Sequence, residues 1–307
     1  MPTAPVDDKG TVLYYEDTGA PSGSTDYLTV VLVHGLTFHG AIFERVLPYG
    51  AAHNMRFVTV NMRDYPGSTG YTPEELAALA DPDLAVQDAA LRTHGEQLAA
   101  CLQYLVRHLG IQPIEVVNGR RTKGLALLTW SMGNLLGMAF LGNAGKYPET
   151  TRDFLDKHLR TLAAPALEAV TPALLAARRA DTARAATVAR MRPDELRRVT
   201  DDGALARSSG ALLRVARAVL HANARAALAD TGGVCPGVDV LLLWCDQTMH
   251  DCVWAAKWVA ELARGAPPPP EAGTHPRRIA VERLCGANHF AHWDDPETFV
   301  KVLAARL

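Results

Sequence analysis

The sequence predicts an α/β protein built on a largely parallel sheet with crossover helices. Three observations carry this expectation. Short β-like runs alternate with helical stretches along most of the chain. Several runs, above all YLTVVLVHG at Tyr27–Gly35 and VDVLLLWC at Val238–Cys245, are almost continuously apolar, as strands covered on both faces must be. At 307 residues and 48% hydrophobic content, the chain carries enough apolar material for one large core with an insertion.

The elements follow in order. Strands are expected at Thr11–Glu16, Leu28–His34, Arg56–Met62, Leu125–Trp130, Leu159–Ala163, Val238–Trp244 and Arg278–Leu284. Asp83–Leu109 reads as a helix: Leu84, Leu91, Leu98 and Leu105 recur every seven residues, with Leu102 and Leu109 widening the stripe. That stripe is core packing. From about Pro165 to Asp230 the chain turns rich in Ala, Arg and Leu, with almost no β-branched runs, which predicts about four helices between two strands. The carboxyl edge of an open α/β sheet is where ligands bind, so the insertion is expected to form a helical cap there. The domain reading is therefore a core of residues 1–164 and 233–307 with a cap at 165–232. The arginines of the cap are the solvated faces of amphipathic helices, and GAPPPPEAG at Gly265–Gly273 is a Pro-rich surface loop.

Charge and composition narrow the classes. A net charge of −2 gives no electrostatic case for nucleic acid or an anionic membrane. No apolar stretch reaches the roughly 18–20 residues of a membrane span, and MPTAPVDDKG has no leader pattern. Five cysteines (Cys101, Cys235, Cys245, Cys252, Cys285) are scattered, an odd count that fits a reducing compartment and a cytoplasmic location. Neither a metal nor a cofactor is expected. His292 beside His289 lacks the further ligands a metal would need.

Three segments carry candidate chemistry. In LLTWSMG, Ser131 stands where an apolar strand meets a helix-like run, with Gly133 two residues on, the setting of a nucleophile elbow. The usual pattern is G-x-S-x-G, and Thr129 replaces its first glycine. In VVLVHGLTFHG a strand ends in His34-Gly35, and glycine there lets the chain turn toward the site. The N–H groups of Leu36 and Met132 are then candidates for stabilising an oxyanion. In LCGANHFAHWDDPETF, His289 lies in a loop after the last strand and before a helix beginning near Pro296, where a general base can reach the serine.

Taken together, His34-Gly35, Ser131 and His289 in this order resemble the α/β-hydrolase superfamily, as a serine-nucleophile, esterase- or lactonase-like member with one helical cap. The likeness covers nearly the whole chain. NMRDYPGST, Asn61–Thr69, is similar to the loop usually spelled D-x-R-G-x-G-x-S, which shapes the site without doing chemistry. The resemblance implies a catalytic acid in one of two places. After VDVLLLWC the usual G-x-x-D reads Cys245-Asp246-Gln247-Thr248, so Thr248 holds the expected position, with Asp246 and Asp251 on either side. After the preceding strand stand Ala163 and Ala164, with Glu168 further on. Three readings follow: the acid is Asp246 or Asp251, the protein works with a weakened dyad, or position 164 has been changed so as to silence the site. The first is the expectation taken here, although Asp251 also suits a plain helix cap.

The functional expectation is a serine hydrolase cleaving an ester or lactone of an apolar small molecule, with Gly35, Phe38 and Trp130 lining the substrate pocket. Fold alone does not separate this from acyl transfer, elimination or cyclisation, nor from a non-catalytic small-molecule receptor.

Overall fold

A computed structural model of the chain describes residues 1–165, 186–204, 206–207, 210–228, 235, 237–245 and 277–307. Its framework is an eight-stranded sheet. In chain order the strands are β1 (Thr3–Pro5), β2 (Val12–Asp17), β3 (Leu28–Val33), β4 (Met55–Val60), β7 (Leu125–Thr129), β8 (Leu159–Pro165), β9 (Asp239–Cys245) and β10 (Ile279–Leu284). The short β5 (Glu115–Val117) and β6 (Arg120–Thr122) form a separate hairpin. All seven expected strands are present, with ends shifted by a residue or two. The additions are β1 and the hairpin, whose Asn118-Gly119 turn has both φ values positive, at 50° and 74°.

The strand order is β1-β2-β4-β3-β7-β8-β9-β10, antiparallel at β1/β2 and β2/β4 and parallel everywhere else. From β3 the chain runs outward to β4 on one side, and from β7 it runs outward to β8, β9 and β10 on the other. The crevice at the carboxyl ends of β3 and β7 is therefore the point where the winding reverses, the usual ligand position in such sheets. Register places Val33 opposite Thr129, so the residues after them, His34-Gly35 and Trp130-Ser131, emerge side by side.

Each face of the sheet has its own core. On one, α2 (Leu84–Leu109) and α3 (Gly133–Gly142) cover Val31, Val33, Leu125 and Leu127. The leucine stripe of α2 delivers Leu91, Leu98, Leu102 and Leu105 to this core, while Leu84 at its first turn remains exposed. Asp83 caps the helix through Ala85 N–H (2.8 Å), and Gly110 closes it at a φ of 65°. On the other face Phe43, Phe57, Trp130, Phe290, Trp293 and Phe299 form an aromatic core, partly under the terminal helix Pro296–Arg306.

Within the expected cap span the described helices behave in two ways. Helix Arg217–Leu228 packs directly on α3 and α2: a Cβ at Gly142 would stand 2.5 Å from the Asn223 carbonyl. Asn223 also joins Asn143 (2.7 Å) and Asp88 (2.9 Å) in a buried hydrogen-bond set. This helix therefore sits on the core like any crossover helix. The segment Ala186–Asp201 instead lies over the loops at the carboxyl edge, as described below. Glu168, Asp246, Thr248, Asp251, Cys252 and the Gly265–Gly273 loop lie outside the described residues.

Candidate active site

Backbone geometry builds the serine's position. Ser131 sits at a φ of 56°, in the left-handed region that an L-residue enters only under constraint. The constraint is visible on both sides. Trp130 N–H donates to the Val33 carbonyl (2.9 Å), fixing the end of β7 against β3. Gly133 and Asn134 N–H then bond back to the Trp130 and Ser131 carbonyls (2.9 Å each), starting α3 at once. Two glycines make the turn sterically feasible: a Cβ on Gly133 would meet the His34 carbonyl oxygen at 2.6 Å, and one on Gly35 would meet Ser131 Cβ at 2.8 Å.

Thr129, which stands where the motif ordinarily has glycine, is accommodated by a second absence. A Cβ on Gly137, one turn into α3, would lie 2.6 Å from Thr129 Oγ1. With no side chain there, Thr129 fits and donates its hydroxyl to Asn134 Oδ1 (2.9 Å).

His289 reaches this serine from 158 residues away: Nε2 lies 3.0 Å from Ser131 Oγ, and both residues are about 95% buried. Its loop is pinned by side chains. Trp130 Nε1–H donates to the His289 carbonyl (3.0 Å), which ties the base to the residue next to the serine. Trp130 itself is 1% exposed and enclosed by Phe38, Phe43, His289, Phe290 and His292. The indole of Trp130, a residue expected to line the substrate pocket, is part of the aromatic core and supports the His289 loop from beneath. Phe38, 8% exposed, packs edge-on against Trp130 and Phe290 at the rim of the same cluster.

The loop after β3 is equally constrained. Thr37, β-branched, adopts a φ of 72° and donates its N–H to the Tyr65 hydroxyl oxygen (3.0 Å). Gly40 N–H donates to Asn61 Oδ1 (2.7 Å). His34 is wholly buried: Nδ1–H donates to the Gly35 carbonyl (2.9 Å) and Nε2 accepts from Met62 N–H (2.9 Å), which fixes the neutral tautomer. Burial lowers its pKa to about 3. Asn61, Met62 and Tyr65 all belong to the Asn61–Thr69 segment, which therefore holds the loop after β3 in place. Leu36 and Met132 directly follow Gly35 and Ser131 in the chain, and among the described residues neither amide has an acceptor.

The segment Ala186–Asp201 touches both loops. His39 N–H donates to the Val199 carbonyl (3.1 Å), Asp201 N–H donates to the Thr37 carbonyl (2.8 Å), and Phe38 and Thr200 form an antiparallel bridge. Around His289, Asn288 Nδ2–H donates to Thr187 Oγ1 and to Asp294 Oδ2 (2.8 Å each), and Thr187 in turn donates to Asp294. Of the two carboxylates expected to serve as the acid, Asp246 and Asp251, neither lies among the described residues. Ala164 does: it is fully buried in β8, paired with Leu242 of β9.

The family model described as the alpha/beta hydrolase family matches residues 30–302. The chain belongs to the alpha/beta hydrolase family. Solved structures agree on the fold. A 2-hydroxy-6-oxo-6-phenylhexa-2,4-dienoate hydrolase from Rhodococcus sp. strain RHA1 superposes with a TM-score of 0.62 at 14% identity, covering 99% of this chain and 98% of that one. An esterase from Exiguobacterium antarcticum gives 0.59 at 17% identity over 99% and 98%. A bromoperoxidase from Bacillus anthracis gives 0.58 at 12% identity over 100% and 99%. No curated protein matches the sequence.

Two further histidines, His292 beside the base and His94 on α2, are buried packing residues. His292 is buried among Phe43, Trp130, Phe290 and Phe299, and burial takes its pKa down to about 3. It is an aromatic-core residue whose Nε2 has no hydrogen-bond partner among the described residues. His94 on α2 is buried against Tyr71, with Nε2 2.7 Å from the phenol oxygen, and burial lowers its pKa to about 4. Among the described residues no helix is long and apolar enough to cross a membrane.

Proposed function

We propose that the chain is a serine hydrolase that cleaves an ester or lactone of an apolar small molecule. One observation carries this reading: His289 Nε2 stands 3.0 Å from the hydroxyl of a serine held at positive φ on a strand-to-helix turn. A helix-capping serine has no need of that backbone strain or of a buried imidazole.

In this reading Ser131 Oγ attacks the substrate carbonyl while His289 Nε2 takes its proton. The N–H groups of Leu36 and Met132 stabilise the oxyanion, helped by the amino-terminal end of α3. Collapse of the tetrahedral intermediate breaks the ester C–O bond, and His289 returns the proton to the departing alkoxide. His289 then deprotonates water, which attacks the acyl-serine and releases the carboxylic acid. Asp246 or Asp251 is the proposed acid that orients the imidazole and stabilises its charged form.

The test is covalent labelling with a fluorophosphonate followed by intact mass, together with hydrolysis of a p-nitrophenyl ester. A single adduct is expected that is lost in Ser131→Ala and His289→Ala, with turnover falling by at least about 10³-fold in each. Folded wild-type protein that takes up no adduct would overturn the reading. Comparing Asp246→Ala with Asp251→Ala then assigns the acid, by whichever variant loses labelling.

A further inference from the structure

The loop carrying His289 is fixed on both sides of that residue, and the two fixings have different owners. On the core side Trp130 Nε1–H holds the His289 carbonyl. On the other side Asn288 folds around its neighbour: Oδ1 accepts the Phe290 N–H (2.7 Å), while both remaining bonds of its amide go outward to Thr187 Oγ1 and Asp294 Oδ2. Thr187 belongs to the cap helix Ala186–Arg190, is 1% exposed, and donates its hydroxyl to the same Asp294 oxygen. Arg190, one turn along, adds an ion pair to that oxygen at 3.1 Å. One carboxylate therefore gathers three donors, two from the cap and one from the residue adjoining the base.

We propose that Asp294 is a positioning residue, joining cap residues Thr187 and Arg190 to Asn288 so that the seating of the cap sets the alignment of His289 toward Ser131. This inference rests on the serine-hydrolase reading above and extends it to a residue that touches neither substrate nor the reacting atoms. The arrangement differs from the other ties between cap and core. Arg45–Glu195 and Arg198–Glu44 are ion pairs with solvent-exposed arginines, as Arg190–Asp294 also is, and such pairs contribute little; those two also involve no residue adjoining Ser131 or His289. At Asp294, by contrast, loss of the carboxylate leaves the buried Thr187 hydroxyl and one Asn288 bond without an acceptor. The energetically favourable response is for the 288–290 loop to shift, and a base displaced by a fraction of an ångström loses its near-attack geometry.

The experiment compares Asp294→Ala, Asp294→Asn, Thr187→Val, Thr187→Ser and Glu44→Gln with wild type. The readouts are the second-order rate of fluorophosphonate labelling of Ser131, kcat and KM on a p-nitrophenyl ester, and thermal unfolding. Rates are normalised to folded protein. Asp294→Ala and Thr187→Val are expected to slow labelling and kcat by about 10–100-fold, with KM changing less than about threefold. Thr187→Ser, which restores the hydroxyl, should recover most of the rate. Asp294→Asn, which keeps an acceptor but loses the charge, should fall between. Glu44→Gln should stay within about twofold of wild type. If Asp294→Ala does not fold, the Thr187→Val and Thr187→Ser pair decides. Labelling by Asp294→Ala or Thr187→Val at the wild-type rate overturns the inference while leaving the hydrolase reading intact. A lowered unfolding temperature with unchanged rate per folded molecule does the same. A wild-type protein that is not labelled overturns both.

Discussion

Ser131 and His289 meet at 3.0 Å, yet they are held by different kinds of constraint. The serine's position is local and made of backbone: a strained φ, three main-chain hydrogen bonds donated within the five residues 130–134, and two glycines whose missing Cβ atoms leave room for neighbouring chain. The histidine's position is long-range and made of side chains: Trp130 from β7's end, Thr187 and Arg190 from the helix Ala186–Arg190, and Asp294 from the short helix that follows His289. Backbone constraint should fail sharply under a single added atom. Side-chain constraint should weaken in steps as each partner is removed.

The contrast can be broken most severely at Gly133. Its Cβ would meet the His34 carbonyl oxygen at 2.6 Å and that of Val33 at 3.1 Å, both backbone atoms that have little freedom to move. Gly133→Ala is therefore expected to reduce ester turnover by about 10²-fold, because the elbow has to shift relative to the β3 loop. Steady-state kinetics beside a circular-dichroism check of folding measures it. A variant with wild-type kinetics would show that the elbow has slack, and the distinction between the two halves would collapse.

A smaller effect is expected at Trp130. Trp130→Phe keeps most of the aromatic packing but removes the Nε1–H bond to the His289 carbonyl, a bond of about 1 kcal/mol net with a further cost for the unpaired acceptor. A drop in kcat of about tenfold with KM little changed would fit one of several side-chain supports being lost. A loss as large as that of His289→Ala would mean the indole is the sole support, and the cap would then have no part in placing the base.

The mildest test separates the cores by pH. An unfolded histidine titrates near 6.5, whereas burial holds His34 and His292 at about 3 and His94 at about 4 in the fold. Since the folded state resists protonation, this stability is complete above pH 6.5 and is lost as the pH falls below it. At pH 5 each group costs about 2 kcal/mol, and the three together about 6 kcal/mol. Thermal unfolding should therefore move steeply downward between pH 6.5 and 4. His292→Phe, which fills the same aromatic cage without a titrating group, should remove about a third of that dependence and leave stability at pH 8 nearly unchanged. An unaltered pH slope in this variant would show that His292 is not held neutral.

What was legible in the sequence follows the same division. Ser131, Gly133 and His34-Gly35 were readable because their constraints are contiguous: an apolar strand, a small residue and a helix start stand next to one another in the chain. The strand set was readable because doubly covered strands carry unbroken apolar runs, as in β3 and β9. His289 was readable from its order and its place after the last strand, but not from anything that fixes its ring. The place of Trp130 in the aromatic core was not readable, because an apolar side chain beside a nucleophile has no sequence mark distinguishing wall from core. Asp294 and Thr187 lie 107 residues apart, and nothing in either neighbourhood announces the other. The β5–β6 hairpin did carry a signal, the Asn118-Gly119 pair, while β1 is three residues ending in Pro5 and is defined only by its partner β2.

Thr129 and Gly137 carry a consequence for how such a site can change over time. The two positions share one volume, so a side chain at 137 and a threonine at 129 exclude each other. Any side chain added at 137 would therefore press on the Thr129 hydroxyl and on its bond to Asn134, so the two positions can only be changed together. Once threonine is in place with its hydroxyl bonded to Asn134, position 137 can no longer drift. The room that the usual pattern provides with a glycine at 129 is provided here by a glycine one turn into the helix, and the two positions answer to one another.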